Sequence, residues 1–307
     1  MQFSLTLIYV AIMLAYAIPG FFLIKFKAIV PDHIASFSKL LLFVAQPCQV
    51  ISSFQKISYS GGTMKNMLVF LILSFLIQIL LLFFAWLILK KLYARIENRV
   101  FTIASFMTNC TFMGVPLLEK LMPEHPEAAV YAMMFSMSMN ILAWTICAYI
   151  ITGQRKYISV KKIIVNPAVL PLFVAVPLFL TDISLPAAIR DMVDLLGKMT
   201  TPLCMLVLGM RLATVKWKDT FLVPAHYIMA AVNQLLMPVL AYVLCNILKL
   251  NTDVRNALVI VCCCPIAAIV LNLTEILRGG QKTASSLVLT GTILSVFTIP
   301  IVTAVLL

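Results

Sequence analysis

Long apolar runs alternate with short polar breaks along the chain, and ten such runs can be read in its 307 residues. They cover about residues 3–24, 35–54, 66–89, 100–118, 128–151, 163–180, 192–210, 220–248, 256–274 and 284–306. Most approach the ~20 apolar residues that an α-helix needs to cross a bilayer core. The breaks carry charge, Gly or Pro, as in Lys90 to Arg99, Pro123 to Pro126 and Arg155 to Lys162. The period-2 alternation over about ten residues that marks a strand of an outer-membrane barrel is missing. The pattern predicts an all-α membrane protein with ten transmembrane helices, and no break is long enough for a soluble domain.

Composition agrees with a lipid bilayer as the outer solvent. The chain is 63% hydrophobic and 11% charged, with a mean hydropathy of +1.06. A soluble domain of this length would leave much of that apolar surface in water. The net charge of +12 does not point to a nucleic acid, because the cations lie singly or in small groups between apolar runs. Sidedness explains them instead. With the N-terminus outside, the inner loops carry sixteen Lys and Arg, among them Lys90, Lys91, Arg95, Arg99 and Lys216, and the outer loops carry seven. An integral protein of the cell (inner) membrane, with both termini outside the cytoplasm, is expected. Met1 is followed by Gln2 and apolar residues with no basic stretch, so the first run reads as a retained helix.

The runs divide into two halves of five, residues 1–153 and 154–307. Pro47 and Pro202, in runs two and seven, lie 155 residues apart. Arg99 and Arg255, Asn109 and Pro265, and Glu119 and Glu275, in runs four and nine, are each 156 apart. An odd number of helices per half turns the second half upside down. Two inverted five-helix repeats are a design of secondary transporters, which expose one central site to each side in turn.

Interrupted helices point to the substrate site in such proteins. Thr108 to Pro116 places Gly114 and Pro116 inside run four, and Pro265 follows Cys262, Cys263 and Cys264 in run nine. Each proline removes a backbone donor and crowds the carbonyl four residues back, so a break is expected at each. Two breaks meeting at the midplane would aim half-helix N-termini, with open N–H groups and partial positive charge, at an anion such as a carboxylate. None of the eleven acids, and no Lys or Arg, lies at the centre of an apolar run. The usual buried relay of a proton-driven antiporter is therefore missing, and no fixed negative charge would repel an anion. The interior polar side chains are Gln46, Gln78, Asn109, Asn140, Asn233, Gln234 and Asn272. The candidate substrate-binding set is Asn109, Thr111, Gly114, Pro116, Asn140, Pro265, Ala267 and Gln46. Each also has a plain structural reading, as a kink or as a tie between helices. Glu119 and Glu275 read as solvated ends of the broken helices, and Asn166-Pro167 as the cap and first residue of helix six. The eight cysteines read as packing residues, and His33, His125 and His226 show no ligand spacing. With no phosphate-binding loop, dinucleotide fingerprint or nucleophile elbow, no metal, cofactor or enzymatic activity is expected.

Asn109 to Leu117 resembles the Asn-Thr-Gly-Phe-x-Gly-x-Pro-Leu stretch of the auxin efflux carrier family in its compact prokaryotic form. Asn166-Pro167, Pro265 to Glu275, and Leu294 to Val302 with Pro300 are similar to its later landmarks, so the resemblance covers nearly the whole chain. It implies a ten-helix fold similar to bile-acid/sodium symporters and sodium/proton antiporters, with broken helices four and nine crossing at their prolines. Helices one, two, six and seven would form a scaffold, and the other six a moving transport domain. It implies transport of small organic anions such as malate, malonate or auxin, and a homodimer joined through the scaffold. Thr111 stands where the family often has Gly, and Ile269 where a polar residue can follow the helix-nine proline. Sodium-coupled symport, with Na⁺ held by amides and carbonyls, and a receptor that binds without transporting are the alternative readings.

Overall fold

The computed structural model describes residues 3–215 and 217–307, apart from the side chains of Val160, Trp217 and Asp219. Met1, Gln2, Lys216 and the Asp219 carboxylate, used above in reading the leader, the loop charges and the acids, lie outside the described residues. The described chain is helical throughout, and its only strand-like feature among those residues is one isolated antiparallel bridge, Thr108 with Ile266. Among the described residues, seven helices are long and apolar enough to cross a membrane: α1 (Phe3–Lys25), α2 (Pro31–Gln55), α3 (Gly61–Leu92), α6 (Glu127–Thr152), α9 (Ala187–Thr214), α11 (Pro224–Ile247) and α14 (Gln281–Leu306). Between them lie shorter helices in pairs: α4 (Ile96–Ala104) with α5 (Val115–Leu121), α7 (Val160–Ile164) with α8 (Leu172–Leu180), and α12 (Thr252–Cys262) with α13 (Ile269–Ile276). A one-turn helix, α10 (Trp217–Phe221), precedes α11.

Packing sorts these helices into two groups. α1, α2, α8 and α9 pack on one another, and α3 to α6 and α11 to α14 form the second group; α1 also lies along α14. Burial grades accordingly. In the most apolar stretch of α6, 72% of residues are buried, against 17% in α1, so α6 is central and α1 peripheral. Large side chains such as Ile18, Phe43, Ile72, Phe83, Phe173 and Phe297 stay exposed, as expected where lipid is the solvent.

Of the two breaks expected at prolines, the one at Pro265 falls between α12 and α13 as read, and the one at Pro116 does not. Wide, π-type turns at Leu41–Ala45, Cys110–Gly114 and Val232–Leu236 each end two residues before a proline, namely Pro47, Pro116 and Pro238. A wide turn carries the preceding carbonyls away from the pyrrolidine ring, so the helix bends and continues. The interruption expected at Pro116 lies upstream instead, over residues 105–109. Run six is also corrected. Asn166 and Pro167 do not open one continuous helix: the Asn166 Oδ1 accepts from the Ala168 N–H at 2.9 Å, and α8 begins only at Leu172.

The closest helix approach uses glycine. A Cβ added at Gly209 of α9 would overlap the carbonyl oxygen of Ala17 in α1, and one added at Gly20 would overlap the backbone of Leu206. Small residues let membrane helices gain dispersion contacts that lipid cannot out-compete. Gly209→Val is expected to cost about 2 kcal/mol or more, read as a lowered melting temperature of the purified protein. Gly61, with nothing within 4 Å of an added Cβ, should accept Ala with a change of about 0.5 kcal/mol or less.

Candidate functional site

Five residues separate α4 from the helical segment that begins at Cys110, and six separate α12 from α13. The two interruptions meet. The Asn109 N–H donates to the Pro265 carbonyl at 2.7 Å, and the Ala267 N–H donates to the Met107 carbonyl at 3.0 Å. These bonds, with the Thr108–Ile266 bridge, form a two-residue ribbon in the middle of a helical protein. Carbonyls left at the broken ends find side-chain donors. The Asn233 Nδ2 reaches the Ala104 oxygen at 3.2 Å, and the Thr108 Oγ1 donates to the Val261 oxygen at 2.8 Å. Cys263 and Cys264 direct their thiols at the Ile260 oxygen, at 3.2 and 3.3 Å. Even the donor missing at Pro116 is replaced: the Thr201 hydroxyl of α9 donates to the Phe112 carbonyl at 3.3 Å.

The N-terminal amides beyond the ribbon are treated differently. Among the described residues, those of Thr111 and Phe112, and of Ala268 and Ile269, make no backbone hydrogen bond. All four residues line one cavity of about 390 Å³. Gln46 and Trp144 line it as well, 4% and 7% exposed, with the Gln46 Oε1 and the Trp144 Nε1 buried and unpartnered. The side chains of Asn109 and Asn272, also in the lining, make no hydrogen bond among the described residues. Lys39 and Arg211 stand on the cavity's edge, and its single carboxylate, Glu275, is bound to Arg211 at 3.2 Å. The arrangement offers bare N–H groups, neutral amides and a net positive rim.

Of the residues singled out in the sequence, Asn109, Thr111, Asn140, Ala267 and Gln46 line this cavity together. Asn140 is already engaged, donating to the Ser136 carbonyl at 2.8 Å and accepting from the Asn166 Nδ2 at 3.0 Å. Gly114 is buried against Cys264, and Pro265 is buried in the ribbon, contributing its carbonyl. Pro116 lines a second cavity of about 260 Å³, together with Gln49, Lys56, Glu119 and Asp194. Phe112 and Gln46 belong to the first cavity, Pro116 and Gln49 to the second, so about one helical turn divides them on α2 and at the start of α5. Gln78, Asn233 and Gln234 lie away from both and tie helices, as in the Gln78 Nε2 bond to the Ser138 hydroxyl at 2.8 Å. Asn272, one of the interior polar side chains read from the sequence, also lines the first cavity, whereas Trp144, Asn166 and Arg211 were not read as cavity residues. Spacing gave no signal for these three: Arg211, for one, lies near a helix end, where basic residues are common in any membrane protein.

Glu119 and Glu275 are more than solvated ends. Glu119 pairs with Lys56, the residue that follows α2, at 3.0 Å, and Glu275 with Arg211 of α9 at 3.2 Å. Each pair joins the two packing groups beside one cavity.

Compared with known protein families, the chain matches one described as membrane transport protein over residues 5–303. No curated protein matches it.

Half-exposed ion pairs stabilise little. A double-mutant cycle of Lys56→Ala and Glu119→Ala, followed by thermal unfolding, should give a coupling of about 1 kcal/mol or less. A coupling several times larger would mean the pair is desolvated in the membrane-bound protein.

Proposed function

The chain belongs to the membrane transport protein family, the auxin efflux carrier type, matched over residues 5–303; from that premise we propose that it is a secondary transporter carrying a small organic anion, a carboxylate, by alternating access. The observation that carries this reading is the set of four unpaired amides, of Thr111, Phe112, Ala268 and Ile269, at two helix starts in one cavity. A carboxylate there accepts hydrogen bonds that no protein group takes and meets the positive ends of two helix dipoles. Lys39 and Arg211 add positive potential at the mouth. In this reading Asn109, Thr111, Ala267 and Gln46 contact substrate, Gly114, Pro116 and Pro265 shape the broken segments, and Asn140 acts through its hydrogen bond to Asn166.

The same reading takes the seven continuous spans and the three helix pairs as ten crossings, in two inverted halves, residues 1–153 and 154–307. Two observations support it. α4 and α12 begin 156 residues apart. The ion pairs Lys56–Glu119 and Arg211–Glu275 recur at offsets of 155 and 156. The second cavity, one helical turn away, is the approach from the opposite side. Movement of the group around α6 against the group around α9 would close one approach and open the other. The excess of loop cations on one side supports a topology with both termini outside the cytoplasm, in the cell (inner) membrane. Exposed apolar side chains on α2 and α8, such as Phe43 and Phe173, give a homodimer its contact.

Counterflow of labelled mono- and dicarboxylates into proteoliposomes tests the proposal. At least one carboxylate should exchange, and Asn109→Ala should slow it about tenfold or more, the effect of a lost hydrogen bond to a charged group. Absence of any carboxylate flux, or an Asn109→Ala variant as fast as the parent, would falsify it.

A further inference from the structure

A groove of about 640 Å³ runs between α3 and α6, on the opposite side of α6 from Asn140 and Trp144. Its walls are apolar: Ile79, Leu82 and Phe83 from α3, and Ile146 and Ile150 from α6. Ile79, Phe83 and Ile146 are 44%, 50% and 44% exposed, so the groove opens toward the hydrocarbon. One end differs in kind. There Lys90 and Arg99 meet three rings, Trp86, Tyr93 and Tyr149. The Lys90 ammonium lies 4.3 Å from the Trp86 ring centre. The Arg99 Nε donates to the Tyr93 carbonyl at 2.9 Å, and its Nη1 to the Ile151 carbonyl at 3.1 Å, which fixes the guanidinium at the mouth. No Asp or Glu lines the groove, and among the described residues neither cation pairs with a carboxylate.

Charge and length together select the ligand. Two cations without a carboxylate partner, set in an aromatic belt, favour an anion, and the apolar walls below them favour hydrocarbon. From Ile79 to Lys90 the groove follows α3 for about 16 Å at the helical rise, close to the ~15 Å of one leaflet's hydrocarbon. A free inorganic anion would leave the walls uncovered. A zwitterionic lipid would bring its own cation beside Lys90 and Arg99. We infer that this groove binds one anionic phospholipid, with its phosphate between Lys90 and Arg99 and one acyl chain along Ile79, Leu82 and Phe83. Because α6 carries Asn140 and Trp144 into the central cavity, the bound lipid braces the outer side of that cavity's wall.

The test uses the full-length protein, delipidated in a neutral detergent, with lipid binding read by native mass spectrometry and by melting temperature. Phosphatidylglycerol should bind as one retained molecule and raise the melting temperature more than phosphatidylcholine does. Lys90→Ala should weaken phosphatidylglycerol binding about fivefold, and Arg99→Lys, which keeps the charge, should weaken it less. Lys25→Ala, at the far end of α1, should leave it unchanged. Equal stabilisation by phosphatidylcholine or by inorganic phosphate, or a Lys25→Ala variant that loses as much as Lys90→Ala, would overturn the assignment.

Discussion

An unpaired backbone amide or carbonyl in hydrocarbon costs several kcal/mol, and the centre of this protein is organised around that constraint. Two helices stop in mid-course, which strips partners from their last carbonyls and first amides. The carbonyl ends are repaired by a small antiparallel ribbon, Asn109 to Pro265 and Ala267 to Met107, and by Asn233 and Thr108. The amide ends are left bare where they face a cavity. The backbone at this cavity therefore offers donors, which the proposed carboxylate would take, while the Gln46 Oε1 is an acceptor in the same lining.

The neutral polar side chains divide along the same line. Gln78, Gln234 and Asn233 form hydrogen bonds between helices, and their role is packing specificity within a membrane, where apolar contacts alone do not select a partner helix. Among the described residues, the Gln46 Oε1, the Trp144 Nε1 and the side chains of Asn109 and Asn272 make no hydrogen bond beside the cavity. In the proposed reading they are groups that a substrate could engage. Charge is kept to the edges. Lys39, Arg211 and Glu275 border one cavity, and Lys56, Glu119 and Asp194 the other. In the proposed reading, these charges act on a substrate at each mouth and fixed dipoles act at the centre.

Apolar periodicity and the polar breaks made the helical membrane class legible in the sequence, and the matched offsets of Asn109 with Pro265 identified two segments that do meet. The position of the first interruption was not legible. A proline rule points at Pro116, but the wide turn at Cys110–Gly114 accommodates that ring, and the chain opens at residues 105–109 instead. At Pro116 a neighbour, the Thr201 hydroxyl, satisfies the stranded Phe112 carbonyl. That neighbour lies 89 residues away. Trp144 and Arg211 escaped for a related reason. Their places at the cavity are set by how α6 and α9 are rotated against their neighbours, and single-helix patterns do not record rotation.

The central claim is that the crossing presents uncompensated donors to an anion. Calorimetric titration of a transported carboxylate against the purified protein and its Asn109→Asp variant tests this most directly. The substitution preserves side-chain shape and replaces a neutral amide with a negative charge beside the bare amides. The account predicts that heat of binding disappears in the variant while its melting temperature without ligand stays near that of the parent. Equal affinity in both proteins would contradict it.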